Sequence, residues 1–253
     1  MEITRARTLS ASFYLRLRRL VVDPKGVFTR KKHALRRRVS PVLREQDRLS
    51  KLTGPAGYWE ELRAYQLSFL KTMGLQPNHS LLDIGCGPLQ GGVAFISYLG
   101  ANKYVGVDVS KVAIQEAYRQ VAKNEALLCK NPRLVLSHSF GLEELGGTSF
   151  DYAWACQMLY HLDADMIKQY FEGVSAQLKP GGLLYADVLG EEARIPEGTL
   201  WNGFRHIVHG VGFVESVAEQ NGLSMRLVGR IEDYGYPVPC VLRYNRMLEF
   251  RKL

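Results

Sequence analysis

The run Leu81-Leu82-Asp83-Ile84-Gly85-Cys86-Gly87-Pro88-Leu89-Gln90-Gly91-Gly92 constrains this chain more than any other segment. Apolar residues lead into an acid, and then into a loop where Gly85 and Gly87 carry no side chain. Such a pattern encodes a buried strand and a tight turn, with the backbone open to close approach by a ligand. A dinucleotide fold uses a similar turn, but its fingerprint places a third glycine where this chain has Gln90. Its ligand also presents an anionic pyrophosphate, which Asp83 would repel. A carboxylate at this position suits a ligand with an ammonium group and no phosphate.

A second signal follows. Lys103-Tyr104-Val105-Gly106-Val107-Asp108-Val109-Ser110 reads as another buried strand ending in an acid. Asp108 falls about 20 residues past the glycine loop, where a carboxylate meets ribose hydroxyls in doubly wound folds. An ionised carboxylate accepts from a diol through charge-assisted hydrogen bonds. The plainer reading is a turn residue at a strand end. Three further segments come in order: Arg133 to Phe140, Phe150 to Leu162, and Leu178 to Asp187. In the last, Pro180-Gly181-Gly182 cannot continue a helix and predicts a turn before the strand.

Together these segments resemble a class I S-adenosylmethionine-dependent methyltransferase, and the resemblance runs from about Tyr58 to Leu253. It implies an α/β fold: a doubly wound, mostly parallel seven-stranded sheet with helices on both faces and the last strand antiparallel. It also implies S-adenosyl-L-methionine as cofactor, held by Asp83, Gly85, Cys86, Gly87, Asp108, Val109, Ser139, Phe140 and Gln157. Ser139-Phe140 stands where the family contacts adenine, although the family's usual acid is missing there. Gln157 to Leu162 falls on the segment facing the reactive methyl. Leu89 departs from the pattern, since the family often has a third glycine at that position.

Periodicity and stop signals give the expected elements. Tyr58 to Leu70 has helical spacing and ends near Gly74, and further helices are expected over about 89–99, 110–124 and 163–178. Residues 189–222 form a longer lid or insert holding Trp201, His206 and His209, closed by a helix that stops at Asn221-Gly222. Gly222 to Arg230 and Leu242 to Phe250 read as the last two strands.

Charge divides the chain into residues 1–53, a basic extension expected to be helical, and 54–253, the part that resembles a methyltransferase domain. The first part holds 15 Lys or Arg against 4 Asp or Glu, and the remainder holds 18 against 21. The net charge of +8 therefore belongs to the extension. Within it, Leu9, Phe13, Leu17, Leu20 and Val21 share one helical face. Four readings compete: a helix packed on the domain, an anionic membrane surface, a nucleic-acid contact disfavoured by the lack of interleaved aromatics, and a mitochondrial presequence. Four cysteines without CxxC or metal-ligand spacing point to free thiols in a reducing compartment. The expected location is cytoplasmic, peripheral to a membrane if the extension docks there.

Methyl transfer from a sulfonium asks for alignment and water exclusion, and for a base when the acceptor is a hydroxyl or a protonated amine. His161, just after the fourth strand, is the candidate base, with a packing role as the alternative. His206 and His209 lack further metal ligands and suit a lid or surface role. Asp187 is a base or a holder of local structure. The function expected is methyl transfer, at oxygen, to a small-molecule, glycan or lipid-linked acceptor. Alternatives are an RNA methyltransferase docking through the basic arm, a non-catalytic binding or assembly factor, and a nicotinamide oxidoreductase disfavoured by Asp83 and Gln90.

Overall fold

The computed structural model describes residues 41–54, 57–140, 142–190, 200–201, 204–238 and 245–253. The amphipathic stretch Leu9 to Val21 and the basic run Arg30 to Arg38 lie outside the described residues.

Seven strands form one sheet in the order β3-β2-β1-β4-β5-β9-β8. They are β1 (Leu81–Ile84), β2 (Tyr104–Asp108), β3 (Arg133–Leu136), β4 (Phe150–Ala155), β5 (Leu178–Leu189), β8 (Leu223–Arg230) and β9 (Asn245–Lys252). β1 to β5 pair in parallel, and β9 runs antiparallel between β5 and β8. The expected topology is therefore present. Chain order reverses beside β1, whose neighbours are β2 and β4, and open α/β sheets bind ligands outside the strands' carboxyl ends at such a point.

Alternation along the strands explains why both faces need helices. Leu82, Ile84, Ala153, Ala155, Leu184 and Ala186 enter one core, with Ile167, Phe171 and Val174 of α6 (Ala164–Gln177) and Val214 of α7 (Val211–Gln220). Leu81, Tyr152, Trp154 and Tyr185 enter the other core. There they meet Leu62 and Phe69 of α2 (Trp59–Thr72), Phe95 of α3 (Gly92–Tyr98) and Ile114 of α4 (Lys111–Ala122). A strand buried on both faces is mostly apolar, and in β1 only Asp83 interrupts the run. Trp154 is fully buried, and its Nε1–H donates to Gln66 Oε1 at 2.9 Å. Left unpaired, that donor would cost about 1–3 kcal/mol.

Local chemistry sets the helix ends. Ser110 caps α4 by accepting from Ala113 N–H at 3.2 Å, and Asp163 caps α6 by accepting from Asp165 and Met166 N–H at 3.1 and 2.9 Å. A short α5 (Glu125–Leu128), absent from the sequence reading, starts at Asn124, whose side chain accepts from Ala126 N–H. α1 (Pro41–Thr53), the described end of the basic extension, packs on the domain through buried Leu49 and Ser50. Arg48 reaches Glu116 of α4 at 2.6 Å.

Two boundaries differ from the sequence reading, and a third falls partly outside the described residues. The helix expected from residue 89 begins at Gly92, because Leu89 takes a left-handed φ of 64° and keeps the chain in the loop. Lys179 to Gly182 is an irregularity inside β5 rather than a turn before it: the β5 partner advances from Leu178 to Leu183 while β4 advances from Phe150 to Tyr152. A Cβ on Gly182 would lie 2.9 Å from the Lys179 carbonyl and 3.0 Å from that of Phe150, so this bend needs glycine. The last strand is described from Asn245, with 242–244 outside the described residues. In the insert, β6 (Leu200–Trp201) and β7 (Phe204–Arg205) form a short antiparallel pair, and 191–199 and 202–203 lie outside the described residues.

Candidate active site

The loops after β1, β2 and β4 share the carboxyl edge of the sheet. Gly85 and Gly87 both have positive φ, 75° and 54°, which a side chain would strain. A Cβ on Gly85 would meet Met158 Cγ at 3.3 Å, and one on Gly87 would meet Thr53 Cγ2 of α1 at 2.7 Å. Leu89 holds its left-handed backbone with its side chain fully buried, so the non-glycine residue is accommodated by packing. Arg63 Nε donates to the Gln90 carbonyl at 3.0 Å and ties α2 to the end of the loop.

Asp83 lies at 4 % exposure beneath this loop, and the Tyr104 hydroxyl donates to its Oδ2 at 2.7 Å. Burial pushes its carboxyl up to about 7, the Tyr104 hydrogen bond opposes this, and the nearby Asp108 charge adds to it. Asp108 spans the two loops: Gly87 N–H donates to its Oδ2 at 2.9 Å and Ser110 N–H to its Oδ1 at 2.7 Å. Burial raises its pKa against those two donors. The carboxylate thus serves as the local turn acceptor, and each oxygen retains a lone pair for a diol. Val109 follows it at 60 % exposure. The Cys86 thiol is buried, and burial pushes its pKa up, so it is a packing residue rather than a nucleophile.

At the end of β3, Ser139 is exposed and its hydroxyl donates to Glu143 Oε2 at 2.6 Å, while Ser137 donates to Glu144 Oε2 at 3.0 Å. The acid missing at Ser139 in the sequence is matched in space by these glutamates, brought back by the 3-10 turn Glu143–Leu145. Phe140 is half-buried and meets Tyr170 edge-on at 6.1 Å.

After β4, Gln157 takes a left-handed φ of 58°. Its N–H donates to Asp187 Oδ1, and its side-chain amide donates to the Tyr236 hydroxyl. Asp187 is fully buried and also accepts from Asn245 Nδ2. Burial pushes its carboxyl up to about 6, against the Gln157 hydrogen bond. These contacts assign Asp187 to holding the β4 and β5 ends, away from proton transfer. Tyr104, Tyr236 and Asn245 were missed by the sequence reading, because no local spacing links them to their partners.

His161 ends the turn Leu159–His161, and its Nδ1 lies 3.0 Å from the Arg205 carbonyl. A carbonyl only accepts, so Nδ1 carries the proton and Nε2 keeps the ring's lone pair. Burial holds the imidazole below its ordinary pKa, the Arg205 carbonyl raises it, and His206 lowers it again. Of the lid or surface role expected for His209, the surface placement is not met. It is 6 % exposed, and its Nε2–H donates to the Leu162 carbonyl at 2.8 Å. The described residues contain no cluster of three metal-ligating side chains and no helix long and apolar enough to cross a membrane. Their cysteines, Cys86, Cys129 and Cys156, are free.

A buried carboxylate with no cationic neighbour among the described residues, a loop with glycine at 85 and 87, and an acid at the second strand end fit a cofactor with an adenosyl group and positive charge. Residues 82–184 match the family model of a methyltransferase domain. Among solved structures, magnesium protoporphyrin IX methyltransferase from Synechocystis with bound SAM is 14% identical, with a TM-score of 0.55, over 98% of this chain and 100% of that one. The CcbJ methyltransferase from Streptomyces caelestis is 16% identical, with a TM-score of 0.57, over 79% and 97%. The [4+2]-cyclase SpnF is 19% identical, with a TM-score of 0.53, over 75% and 80%. Residues 82–184 thus match a methyltransferase domain, and the seven-stranded sheet around them has the fold of S-adenosylmethionine-dependent methyltransferases.

Proposed function

We propose that the chain transfers a methyl group to a hydroxyl oxygen of a small-molecule, glycan or lipid-linked acceptor, with His161 as the general base. The observation that carries this reading is the His161 Nδ1 to Arg205 carbonyl contact of 3.0 Å, which leaves Nε2 as the basic nitrogen on the carboxyl side of β4. A neutral imidazole suits a hydroxyl, whose proton must leave as the new bond forms.

The cofactor, when bound, supplies an electrophilic methyl on a sulfonium. The chain's own residues do the rest. Gly85 and Gly87 let the loop backbone approach the ligand, and Asp108 fixes that loop while accepting from a diol. Asp83, once ionised, places negative charge beneath the loop, opposite in sign to the ligand. Glu143 and Glu144 supply acceptors at the end of β3 for an exocyclic amine. His161 takes the acceptor's proton on Nε2.

The test is incubation of the full chain with isotope-labelled cofactor and cell extract, with mass spectrometry of labelled products. His161→Ala should bind cofactor normally and slow turnover by roughly 100-fold. Methylation confined to RNA, or unchanged turnover in His161→Ala, would overturn the reading.

A further inference from the structure

Residues 205–209 lie across the turn that carries His161 and are joined to it along their length. The Ile207 N–H donates to the Tyr160 carbonyl at 2.7 Å, and His209 donates to the Leu162 carbonyl at 2.8 Å. The Arg205 carbonyl accepts from His161. Between these links, the His206 ring stacks on Tyr160 at 5.5 Å and 13°, and faces the His161 ring at 5.0 Å and 58°. The Nδ1 of His206 is buried and has no partner among the described residues. A buried polar atom without a partner costs stability that an apolar ring would not, so packing alone does not account for an imidazole here.

We propose that His206 is a positioning residue for His161, its ring held on Tyr160 so that a second imidazole faces the base and fixes its plane. The inference rests on His161 acting as the base. Two imidazoles at this separation repel when both are cationic, so protonating one resists protonating the other. That agrees with the downward influence of His206 on His161, which adds to burial. Arg205 contributes its carbonyl to His161 and has an exposed side chain, and the acids at this turn are paired with other groups. Asp163 caps α6, and Asp165 pairs with Lys168 at 2.9 Å. His209 is turned to the Leu162 carbonyl.

The experiment follows the His161 ring resonances against pH in the full chain, in wild type, His206→Phe and His206→Gln, beside the pH profile of kcat/KM. Phe keeps the stack and removes the second imidazole. The His161 midpoint should rise by about half a unit or more in both variants, and the acid limb of kcat/KM should rise with it. A midpoint that rises without the acid limb following supports the positioning role and overturns the base reading. An unchanged midpoint in either folded variant overturns the proposal. Should both variants lose the fold, the wild-type titration decides: a two-step His161 curve supports it, and a single-step His161 curve overturns it.

Discussion

The hydroxyl of Tyr104 donates to the buried carboxylate of Asp83 at 2.7 Å, inside a parallel sheet and directly beneath the glycine loop. Hydroxyl and carboxylate come from adjacent parallel strands, β2 and β1. A buried acid held by one neutral donor keeps its proton to unusually high pH, and a cationic ligand seated above it should bind with a proton linkage.

Because the Asp83 carboxyl titrates at about 7, a cationic cofactor should bind more tightly as pH rises from 6 to 8 and should release protons near neutrality. Calorimetry in buffers of different ionisation enthalpy reads that release, and a buffer-independent heat would sink the idea. Tyr104→Phe removes the donor, so Asp83 should titrate higher still. Affinity at pH 7 should fall by about 1 kcal/mol.

The same shift acts on folding. A carboxyl raised from 3.8 to about 7 contributes stability that is present below pH 4 and lost as pH rises through 7. Asp187, raised to about 6, acts in the same direction. The free protein should therefore lose stability between pH 4 and 7. Asp83→Asn keeps an acceptor for Tyr104 and should stabilise the free protein at pH 8, on the order of 1–3 kcal/mol, while weakening cofactor binding. Denaturant melts at both pH values check this.

Asp108→Ala should weaken cofactor binding by about 1.5–3 kcal/mol, the scale for hydrogen bonds to a charged group. It should also loosen the loop, since the Gly87 and Ser110 N–H groups lose their acceptor. Hydrogen exchange at residue 87 should quicken in the variant. Equal affinity for wild type and variant would remove Asp108 from the site.

The two loop glycines should respond differently. Gly85→Val places a branched side chain at φ 75° against Met158, and binding should be lost with the sheet retained. Gly87→Ala collides first with Thr53, so it should also unseat α1, read as faster proteolysis within residues 41–53. If Gly85→Val binds cofactor normally, the loop has another purpose.

Much of the site was legible because its parts are local. An apolar run ending in an acid, then Gly85 and Gly87, specifies strand, turn and side-chain-free loop within a few residues, as Asp108 and Ser110 specify the end of β2 and the cap of α4. The sequence by itself thus determined the order of strands and helices, the glycine loop and the position of His161 after β4. Only the tertiary structure decided what those residues touch. Tyr104 beside Asp83, Tyr236 beside Gln157, Glu143 beside Ser139 and Arg205 beside His161 are set by strand order, a 3-10 turn and a folded-back strap. Propensity and periodicity act over one element, whereas a buried polar atom takes its partner from whichever element packing brings within 3 Å. For that reason the strand–loop pattern was readable in the chain, and the protonation of the groups around it was not.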